Sequence, residues 1–543
     1  MNSDFTPLSV NKTLPIDVDT VRRFMRTYQQ ATRKLLFTHY DGLINNAMDS
    51  AQPLFKLRQH LPAARAFNTS DIEFARVATD ASDCCPGDLY IAIVTGDGDG
   101  HNDIELAIAN GAVGILAERL LPTTSPLFIV DDTRTAFSEL NQVLFGNFEH
   151  SLITIAVTGS TGISATSRLI SHMLGTQQQA CPIVTTPTNC APQQAFEIQA
   201  RKLKELAVSN EQFVIQEVTT DQLASRFFDT FSFDFLVITS VEIAPVEFNG
   251  TAQAYANSYD RAFQQLEQHG VAVLNFADPV TRFEFIPEDR AFLSIGTNDE
   301  SDIWAQHLEH GRFGQRFIIH AGELSAEVFS PILGNQHVIS CLQTIAIGLL
   351  LELPFDQLCR SITSYDQAPG HLQRIDRGQG FDVFVDHANS ARDLNKAVLS
   401  LRQISQGRLI VVYGPSAEHT ADQRAAMGSI AEKFADVSII TENNPEYEDP
   451  LAIAHDVLDG YLRSADAYVV PGRERAIVFG LTMAEEGDTV LIAGKGDKAF
   501  DKVGAETYYF DDVEIASVCL DEILNPVAKY GRDIFRFEDY TDG

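Results

Sequence analysis

Basic residues are scarce in this sequence, and their scarcity limits the partners that it can bind. The 543 residues include 40 Lys and Arg against 74 Asp and Glu, so the formal net charge is −34 at pH 7. Binding to the phosphate backbone of a nucleic acid needs clustered Lys and Arg, and we therefore expect no nucleic-acid partner. We interpret the acidity as a feature that favours solubility.

Long apolar runs are absent as well. The most apolar stretch, residues 345–351, is much shorter than the roughly 20 apolar residues that a membrane-spanning helix needs. Residues 1–10 contain no basic segment followed by an apolar one, so the sequence predicts no signal peptide. We expect a cytoplasmic protein that does not associate with a membrane.

Cysteines are few and scattered. Their spacing fits neither a disulfide framework nor a Cys-x-x-Cys zinc pair, and we predict ordinary reduced thiols. The adjacent Cys84 and Cys85 are included in that prediction, although such a pair can also be read as reactive. The full set is Cys84, Cys85, Cys181, Cys190, Cys341, Cys359 and Cys519.

What the sequence does contain is a repeated alternation of strand-like and helix-like segments. Hydrophobic residues make up 45% of the chain, which is enough for a sizeable core. The alternation predicts an α/β protein whose parallel sheets are covered by helices on both faces. Strands are predicted at residues 89–94, 113–116, 152–157, 212–218, 233–239, 271–275, 383–385, 409–412, 438–441 and 489–493.

Four segments are predicted along the chain. Residues 1–50 form an N-terminal extension, in which apolar residues recur at helical spacing from Val18 to Leu35. This helix is predicted to dock on the chain itself, with a partner protein as the alternative. Residues 51–148, 149–368 and 369–543 form three α/β domains, of which the last is doubly wound.

The strand at 152–157 is followed by a glycine loop and a helix, an arrangement that can cradle phosphate groups. Thr158, Gly159, Gly162 and Ser164 are the candidate nucleotide-binding residues, and the Ser164 hydroxyl is a candidate Mg²⁺ ligand. A working phosphate loop would carry a lysine where Ile163 stands. A turn that uses glycine only for its geometry would have the same pattern, so the loop alone leaves both interpretations open.

Several other motifs occur in a fixed order along the chain, some before and some after this loop. They are Thr79-Asp80-Ala-Ser82, Asp99-Gly-His101, Thr185-Thr186-Pro187, Glu217-Val-Thr-Thr220, Thr239-Ser-Val-Glu-Ile-Ala244-Pro245, Pro369-Gly-His371, Val385-Asp386-His387-Ala-Asn389, Thr441-Glu-Asn-Asn444-Pro-Glu446 and Gly494-Lys495-Gly-Asp-Lys498. Together with the glycine loop, this order resembles the Mur ligase family, and in particular the UDP-N-acetylmuramoyl-tripeptide synthetases, over residues 54–515.

The resemblance implies a three-domain Mur ligase architecture. Its parts are an N-terminal UDP-sugar-binding-like domain, a central P-loop-type ATPase-like domain and a C-terminal doubly wound α/β domain. It implies an ATP- and Mg²⁺-dependent carboxylate–amine ligase that acts on a UDP-muramyl peptide. The substrate-side candidates that it implies are Asp80, His101, Thr185, Thr186, Asn444 and Lys495.

Within that resemblance, Glu217 stands at a magnesium-ligand position and Asp386 at a ribose-contact position. Each also has a simpler interpretation, Glu217 as a strand-end carboxylate and Asp386 as a helix cap. Lys495 can equally be a lysine in a turn. His101 and His387 are interpreted as packing or surface histidines rather than as catalytic bases.

Many family residues are replaced in this sequence. Ile163 stands for the loop lysine, Ala244 and Pro245 for an Asp-His pair, and Tyr259 for a lysine that becomes carbamylated and bridges to Mg²⁺. His371 and Glu446 each stand for an arginine, and the arginine replaced by Glu446 selects the incoming amino acid. Phosphoryl transfer depends on positioning and charge neutralisation, so these concerted losses predict an inactive relative of the ligases.

Three hypotheses therefore stand at the level of sequence. The first is a pseudoenzyme that binds a muramyl precursor or a working Mur ligase. The second is a divergent but active ATP-dependent amide ligase, favoured by the retained glycines, Glu217 and Asp386. The third is a scaffold protein that acts through residues 1–50.

Overall fold

Three α/β sheets organise the chain in the computed structural model. The structure describes residues 54–94, 98–145, 152–177, 181–185, 192–209, 211–225, 231–241, 252–284, 286–287, 290–365, 369–463, 467–504 and 506–524. The helix predicted in the N-terminal extension lies outside these residues. The described residues divide into two compact units. The first contains residues up to 307 with 318–328 and 338–362, and the second contains 308–317, 329–337 and 363 onwards.

The first sheet has five short, apolar strands. These are β2 (Arg65–Phe67), β4 (Arg76–Ala78), β5 (Asp88–Ile91), β6 (Gly114–Ala117) and β7 (Leu127–Ile129), and a separate pair joins β1 (Phe55–Lys56) to β3 (Glu73–Phe74). The order is β2-β7-β6-β5-β4, with β4 to β7 parallel and β2 antiparallel to β7. Its helices are α1 (Leu57–His60), α2 (Ile104–Ala109) and α3 (Thr133–Phe145).

The second sheet has nine strands and is parallel through its apolar centre. The strands are β8 (Ile153–Thr158), β9 (Ile183–Val184), β10 (Phe213–Glu217), β11 (Phe233–Ile238), β12 (Leu266–Asn275), β13 (Ala291–Gly296), β14 (Ile303–Gly311), β15 (Gly314–Ala321) and β16 (Leu324–Ser330). Their order is β16-β15-β14-β13-β12-β11-β8-β10-β9. Its helices are α4 (Ile163–Thr176), α5 (Pro192–Val208), α6 (Thr220–Ser225), α7 (Ala252–Gln264), α8 (Pro279–Glu284), α9 (Asn335–Leu350) and α10 (Phe355–Thr363).

The first two sheets share one hydrophobic core within the first unit. A single cluster of buried apolar side chains runs from Leu57 to Leu274. Phe137 of α3 meets Phe196 of α5 edge to face, with ring centroids 5.7 Å apart. Phe196 also packs on Phe231 at 4.8 Å. Aromatic contacts of this kind add about 0.5–1.5 kcal/mol beyond the burial of their area, and they contribute to this shared core.

The third sheet lies in the second unit. Its strands are β17 (Gln373–Ile375), β18 (Asp382–Asp386), β19 (Leu409–Tyr413), β20 (Val437–Ile440), β21 (Ala467–Val469) and β22 (Thr489–Ala493), in the order β17-β18-β22-β19-β20-β21. All neighbours are parallel except β17 and β18. A hairpin of β23 (Phe500–Val503) and β24 (Glu506–Tyr509) follows. The helices are α11 (Ala391–Arg402), α12 (Ala421–Phe434), α13 (Pro450–Leu458), α14 (Arg473–Thr482) and α15 (Asp512–Leu524).

The helices of the second unit start where the sequence supplies caps. Ser390 accepts a hydrogen bond from the Asp393 N–H at the start of α11. Thr420 and Gln423 form a capping box at α12, and Asp449 caps α13 just before Pro450. Such caps satisfy backbone donors that a helix start leaves free, and each stabilises its helix by about 1 kcal/mol.

The α/β prediction is confirmed, and each predicted strand lies on an observed one. The expectation of a purely parallel central sheet is wrong for β14 to β16. Two-residue turns join these strands in succession, and only antiparallel neighbours can be joined so closely. Polar and apolar residues alternate in this segment, a pattern that is typical of antiparallel strands with one exposed face. The sequence prediction did not use this pattern. None of the described helices is both long enough and apolar enough to span a membrane.

One ion pair lies entirely inside the second unit. Arg473, the first residue of α14, donates to Asp512 at the start of α15 through Nε at 2.8 Å and Nη2 at 2.6 Å. The two side chains are 1% and 0% exposed. Arg473 Nη2 also donates to the Ala493 carbonyl at the end of β22, at 3.0 Å. The pair therefore fixes two helix starts against the carboxyl end of a central strand.

We expect Asp512→Asn to lower the free energy of unfolding by about 3–5 kcal/mol, because it leaves a buried guanidinium without its counter-charge. Urea unfolding followed by circular dichroism measures this change. Asp521→Asn is the matched control, since Asp521 meets Arg377 on the surface at 3.9 Å. That control is expected to change stability by less than about 0.5 kcal/mol. Equal effects of the two substitutions would contradict the structural role of the buried pair.

Candidate functional site

The glycine loop between β8 and α4 packs tightly against the end of β11. Gly162 takes φ +85° as the N-cap of α4, and Gly159 takes φ +146°. A Cβ on Gly159 would lie 2.2 Å from Thr239 Oγ1 and 2.8 Å from the Ser240 carbonyl oxygen. Only glycine fits that position, because both the backbone conformation and the space exclude a side chain.

Hydroxyl groups tie this loop to the neighbouring strand. The Ser160 N–H and Oγ–H both donate to the Ser240 carbonyl, at 2.7 and 2.9 Å. Thr239 Oγ1 donates to the Thr161 carbonyl at 2.6 Å, and the Thr161 and Ser240 hydroxyls lie 2.8 Å apart. The Ser160 N–H is therefore committed to the protein rather than free for a phosphate oxygen.

Ile163 and Ser164 occupy the first turn of α4, as the sequence predicts for a phosphate loop. Their backbone N–H groups belong to the set that a helix start leaves without helical partners, so this turn retains a positive field. Ile163 adds no charge to this turn.

The Thr158 side chain is buried at the end of β8, and its Oγ1 has no hydrogen-bond partner among the described residues. An unmatched polar atom of this kind is consistent with a ligand at the loop.

Glu217 ends β10, which runs parallel to β8 with Glu217 opposite Val157. Burial raises the pKa of Glu217, and the hydroxyls of Ser167 and Ser164 and the charge of Arg168 partly oppose that rise. The predicted pair Glu217 and Ser164 is therefore brought together at the loop. Two oxygen ligands are few for Mg²⁺, which prefers six in an octahedron. Among the described residues there is no group of three or more His, Cys, Asp and Glu that could hold a metal ion.

Tyr259 lies on α7 and is fully buried in the core of the first unit. Its hydroxyl lies 3.2 Å from Thr220 Oγ1, just beyond Glu217 in the same motif. The position that the resemblance assigns to a bridging lysine is thus filled by a phenol bonded to the protein. Thr185 is described, but Thr186, Ala244 and Pro245 lie outside the described residues.

Two of the N-terminal candidates have local structural partners. Asp80 caps the short turn Ala81–Asp83 by accepting from the Ser82 N–H at 2.8 Å and its hydroxyl at 2.6 Å. His101 is buried, with Nδ1 2.6 Å from Asp99 Oδ1 and Nε2 accepting from the Glu118 N–H at 3.1 Å. Both ring nitrogens of His101 are therefore engaged by the protein, which agrees with its interpretation as a packing histidine.

Asp386 ends β18 and binds the loop on either side of it. Its Oδ2 accepts from the Leu372 N–H at 2.7 Å, and its Oδ1 accepts from the Ala388 N–H at 2.8 Å. Burial raises the pKa of Asp386 to about 6, although the two backbone donors and His387 act in the opposite direction. Both carboxylate oxygens therefore accept backbone hydrogen bonds, and the helix-cap interpretation of Asp386 is wrong, because Ser390 caps the next helix, α11.

Lys495 is a buried cation at the end of β22. Its Nζ donates to Asp501 Oδ1 and the Phe500 carbonyl, each at 2.9 Å, and to Asn444 Oδ1 at 3.3 Å. Burial lowers the pKa of Lys495, and Asp501 opposes that change. Asp501 Oδ1 also accepts from the Asn444 N–H at 2.9 Å. Lys495 and Asn444, both predicted from sequence, are thus brought together by a residue that the sequence interpretation missed.

Asn444 and Glu446 both adopt left-handed backbone conformations, with φ +47° and +50°. Contacts with the hairpin hold them there: the Lys502 N–H donates to Asn444 Oδ1 at 3.1 Å, and the Glu446 N–H donates to the Lys502 carbonyl at 3.1 Å. The Glu446 carboxylate lies 3.8 Å from Lys502 Nζ and is one-third exposed. The charge at this position is therefore acidic and accessible to solvent.

His371 lies beside His387, with ring centroids 5.0 Å apart. His387 Nε2 in turn lies 2.5 Å from Asp497 Oδ1. Sequence reasoning did not pair these residues, because the two partners of His387 come from separate loops at the edge of the third sheet.

Two family models match the chain. The Mur ligase middle domain matches residues 157–348, and the glutamate ligase domain of Mur ligases matches residues 370–496. The glycine loop and Glu217 fall within the first segment, and Asp386, Asn444 and Lys495 fall within the second.

The chain belongs to the Mur ligase family.

Similar proteins extend this relation over most of the chain. The UDP-N-acetylmuramoyl-L-alanyl-D-glutamate–2,6-diaminopimelate ligase of Geobacillus kaustophilus is 28% identical over 487 residues, which are 86% of this chain and 99% of that protein. The chloroplastic MurE homologue of that ligase from Arabidopsis thaliana is 26% identical and matches 82% of this chain and 62% of its own.

Solved structures show the same Mur ligase fold. A UDP-N-acetylmuramoyl-L-alanyl-D-glutamate–2,6-diaminopimelate ligase aligns over 87% of this chain and all of its own, with a TM-score of 0.61 and 24% identity. MurF ligase from Thermotoga maritima in complex with ADP aligns over 83% of this chain and 98% of its own, with a TM-score of 0.54 and 18% identity.

The raised pKa of Asp386 predicts a pH dependence of stability. Since the folded chain holds this proton more tightly than the unfolded chain, the contribution of Asp386 is fully present below its ordinary value of 3.8 and is lost as pH rises through about 6. Urea unfolding of the wild type and Asp386→Asn from pH 4 to pH 7 measures the effect. We expect the substitution to flatten the fall in stability, and an unchanged slope would contradict the assignment.

Proposed function

We propose that this chain is a MurE-like Mur ligase homologue of peptidoglycan precursor synthesis, and that it binds a UDP-muramyl peptide without completing the ATP-dependent ligation. The proposal takes its substrate class from the relatives, whose names describe ligation to UDP-N-acetylmuramoyl-L-alanyl-D-glutamate. The observation that best supports the absence of ligation is the identity of Tyr259. Its buried phenol is hydrogen-bonded to Thr220 at the position where a working site would place a magnesium-bridging lysine.

The glycine loop supports the same conclusion. Ile163 supplies neither a donor nor a charge at the position where a cation would reach the transferring phosphoryl group. The Ser160 N–H is already bonded to Ser240. Glu217 has a raised pKa, so it is less inclined than an ordinary glutamate to carry the negative charge that a Mg²⁺ ligand needs. Each change weakens the electrostatic stabilisation on which this kind of catalysis depends.

The second unit adds independent support. Asp386, the expected ribose contact, already accepts a backbone N–H at each carboxylate oxygen. Glu446 presents a carboxylate where the relatives are expected to hold an arginine for the incoming amino acid. A carboxylate there repels the carboxyl group of an amino acid, so an ordinary diamino-acid acceptor fits this loop poorly.

A divergent active ligase is the second candidate. The observation that favours it is the buried Thr158 Oγ1, which has no hydrogen-bond partner among the described residues and lies at the base of the loop. Together with the first turn of α4 and Glu217, this atom provides a polar lining that a nucleotide phosphate or its metal could satisfy.

Calorimetric titration with Mg-ATP and with UDP-N-acetylmuramoyl-dipeptide, combined with a phosphate-release assay, tests the proposal. We expect heat from the sugar nucleotide and no phosphate release above background with any amino acid supplied. The Geobacillus kaustophilus ligase, assayed in parallel, is the positive control. Phosphate release that depends on the dipeptide would establish the active-ligase alternative. Absence of sugar-nucleotide binding would overturn the proposal that the chain binds a UDP-muramyl peptide. Binding to a working Mur ligase would then become the leading alternative.

Restoring the loop cation gives a sharper prediction. We expect Ile163→Lys to strengthen Mg-ATP binding by at least about tenfold, because a charge-assisted hydrogen bond to phosphate contributes about 1.5–3 kcal/mol. Ile163→Met is the matched control, since it is similarly long and flexible but uncharged. Equal Mg-ATP affinities for the two variants would mean that the missing lysine is not what limits nucleotide binding.

A further inference from the structure

The strand β24, Glu506–Tyr509, forms an open edge of the hairpin in the second unit. Its partner β23 is hydrogen-bonded on both sides. On the side away from β24, the Lys502 N–H donates to Asn444 Oδ1 and the Lys502 carbonyl accepts from the Glu446 N–H, each at 3.1 Å. In contrast, β24 pairs with no described strand other than β23. One side of its backbone is therefore available for a further strand.

The register of the hairpin shows which backbone groups lie at this edge. In an antiparallel ladder, hydrogen-bonded and non-hydrogen-bonded pairs of residues alternate. The Phe510 N–H donates to the Ala499 carbonyl at 3.3 Å, so this pair is a hydrogen-bonded one. Along the ladder from there, Tyr509 and Thr507 belong to non-hydrogen-bonded pairs. The N–H and C=O groups of Thr507 and Tyr509 therefore point away from β23 and towards the open edge.

The side chains of β24 do little to protect this edge from pairing. All four are exposed, and Tyr508 and Tyr509 are 50% and 71% exposed. Edge strands of natural proteins are commonly protected by Lys, Pro or a bulge, because an open edge can pair with another chain. β24 contains neither Lys nor Pro, and its Thr and Tyr residues favour extended structure. The edge is therefore suited to the addition of a strand.

The charge around the edge is negative. The carboxylates of Glu506 and Glu514 accept hydrogen bonds from the hydroxyls of Tyr508 and Tyr509. Neither carboxylate forms an ion pair with a basic residue of the described chain. Lys502, the basic residue of β23, lies 3.8 Å from a different carboxylate. An added strand with basic side chains would supply the positive charge that these carboxylates lack.

A second copy of this chain fits the edge poorly. Two copies paired through β24 would bring Glu506 and Glu514 of both chains close together, and each chain has a net charge of −34. Such like-charge contacts are unfavourable. Two strands of four residues also bury far less than the roughly 1,200–2,000 Å² of a stable interface. A short segment that adds a strand has no such requirement, because main-chain hydrogen bonds supply much of its affinity.

We propose that the β24 edge binds an extended, basic segment of a partner protein by strand addition. The outward N–H and C=O groups of Thr507 and Tyr509 bond to the main chain of the segment. The exposed tyrosine rings pack against its Lys or Arg side chains, and Glu506 and Glu514 pair with their charges. The inference goes beyond the proposed function, because this interaction requires neither a nucleotide nor a muramyl precursor.

Fluorescence anisotropy of the full-length chain with labelled peptides of about nine residues, at roughly 0.15 M salt, tests the proposal. The probe alternates Lys and Val. Its control is the same sequence with every peptide nitrogen methylated, which keeps the charge but donates no main-chain hydrogen bond. We expect the probe to bind at least about tenfold more tightly than the control. Thr507→Pro removes an outward N–H without removing a ladder bond of the hairpin, and it should lower the affinity for the probe to near that of the control.

Two double variants test the contribution of charge. E506Q/E514Q removes two carboxylates at the edge, whereas E485Q/E486Q removes two exposed carboxylates from another loop of the same unit. We expect the first to weaken binding of the probe about fivefold or more, and the second to weaken it less than about twofold.

Three results would overturn the proposal. Equal affinities for the probe and its methylated control would mean that charge alone drives binding. Unchanged binding to Thr507→Pro would mean that the peptide binds elsewhere. Hydrogen exchange at residues 506–510 that is slow in the free chain and unchanged by the probe would mean that the edge is already covered. Sedimentation velocity would then distinguish a second copy from another segment of the same chain. None of these results depends on nucleotide or precursor binding.

Discussion

The carboxyl ends of parallel strands are the constraint on which both candidate sites depend. Where such strands end, their loops converge on one edge of the sheet, and ligands of open α/β sheets bind in the crevice there. In this chain, several polar groups at these strand ends are hydrogen-bonded to the protein itself. At the second sheet, the Ser240 carbonyl accepts a hydrogen bond from the Ser160 N–H. At the third sheet, Asp501 accepts a hydrogen bond from Lys495, and Asp386 accepts one from each of two backbone N–H groups. Groups that would otherwise serve a ligand are therefore committed to the fold.

The local parts of this picture could be predicted from the sequence. The β8–loop–α4 unit follows from an apolar run, two glycines and an amphipathic helix, and Glu217 follows from its place at the end of the next apolar run. The hydrogen bonds that fill the sites could not be predicted, because they join residues that are distant in sequence. Ser160 is 80 residues from Ser240, and Tyr259 is 39 residues from Thr220. Single-sequence patterns report spacing within one element and not contacts between elements.

The third sheet shows the same limit more sharply. Lys495 and Asn444 were recognised from separate motifs, but the structure joins them through Asp501, a residue on a hairpin that no motif marked. The hairpin supplies hydrogen-bond partners for two left-handed residues, Asn444 and Glu446. Such conformations cost about 1–3 kcal/mol each unless surrounding contacts hold them. The hairpin contacts therefore stabilise a loop conformation that neither residue favours by itself.

The pattern of replacements in the first unit also has an electrostatic logic. A phosphate site balances the charges of nucleotide, metal, lysine and acidic ligands, and a protein that keeps only one side of that balance buries an uncompensated charge, which is strongly unfavourable. Here the cation at Ile163 and the anionic partners at Ala244 and Tyr259 are missing together. Burial raises the pKa of the remaining Glu217, so its negative charge is disfavoured relative to that of an exposed glutamate. Concerted loss of both signs leaves a loop that is stable without nucleotide, whereas loss of the lysine alone would leave an acidic site without a counter-charge. The Ile163→Lys substitution therefore restores one side of a balance whose other side is also gone, and we expect it to improve ATP binding without restoring ligation.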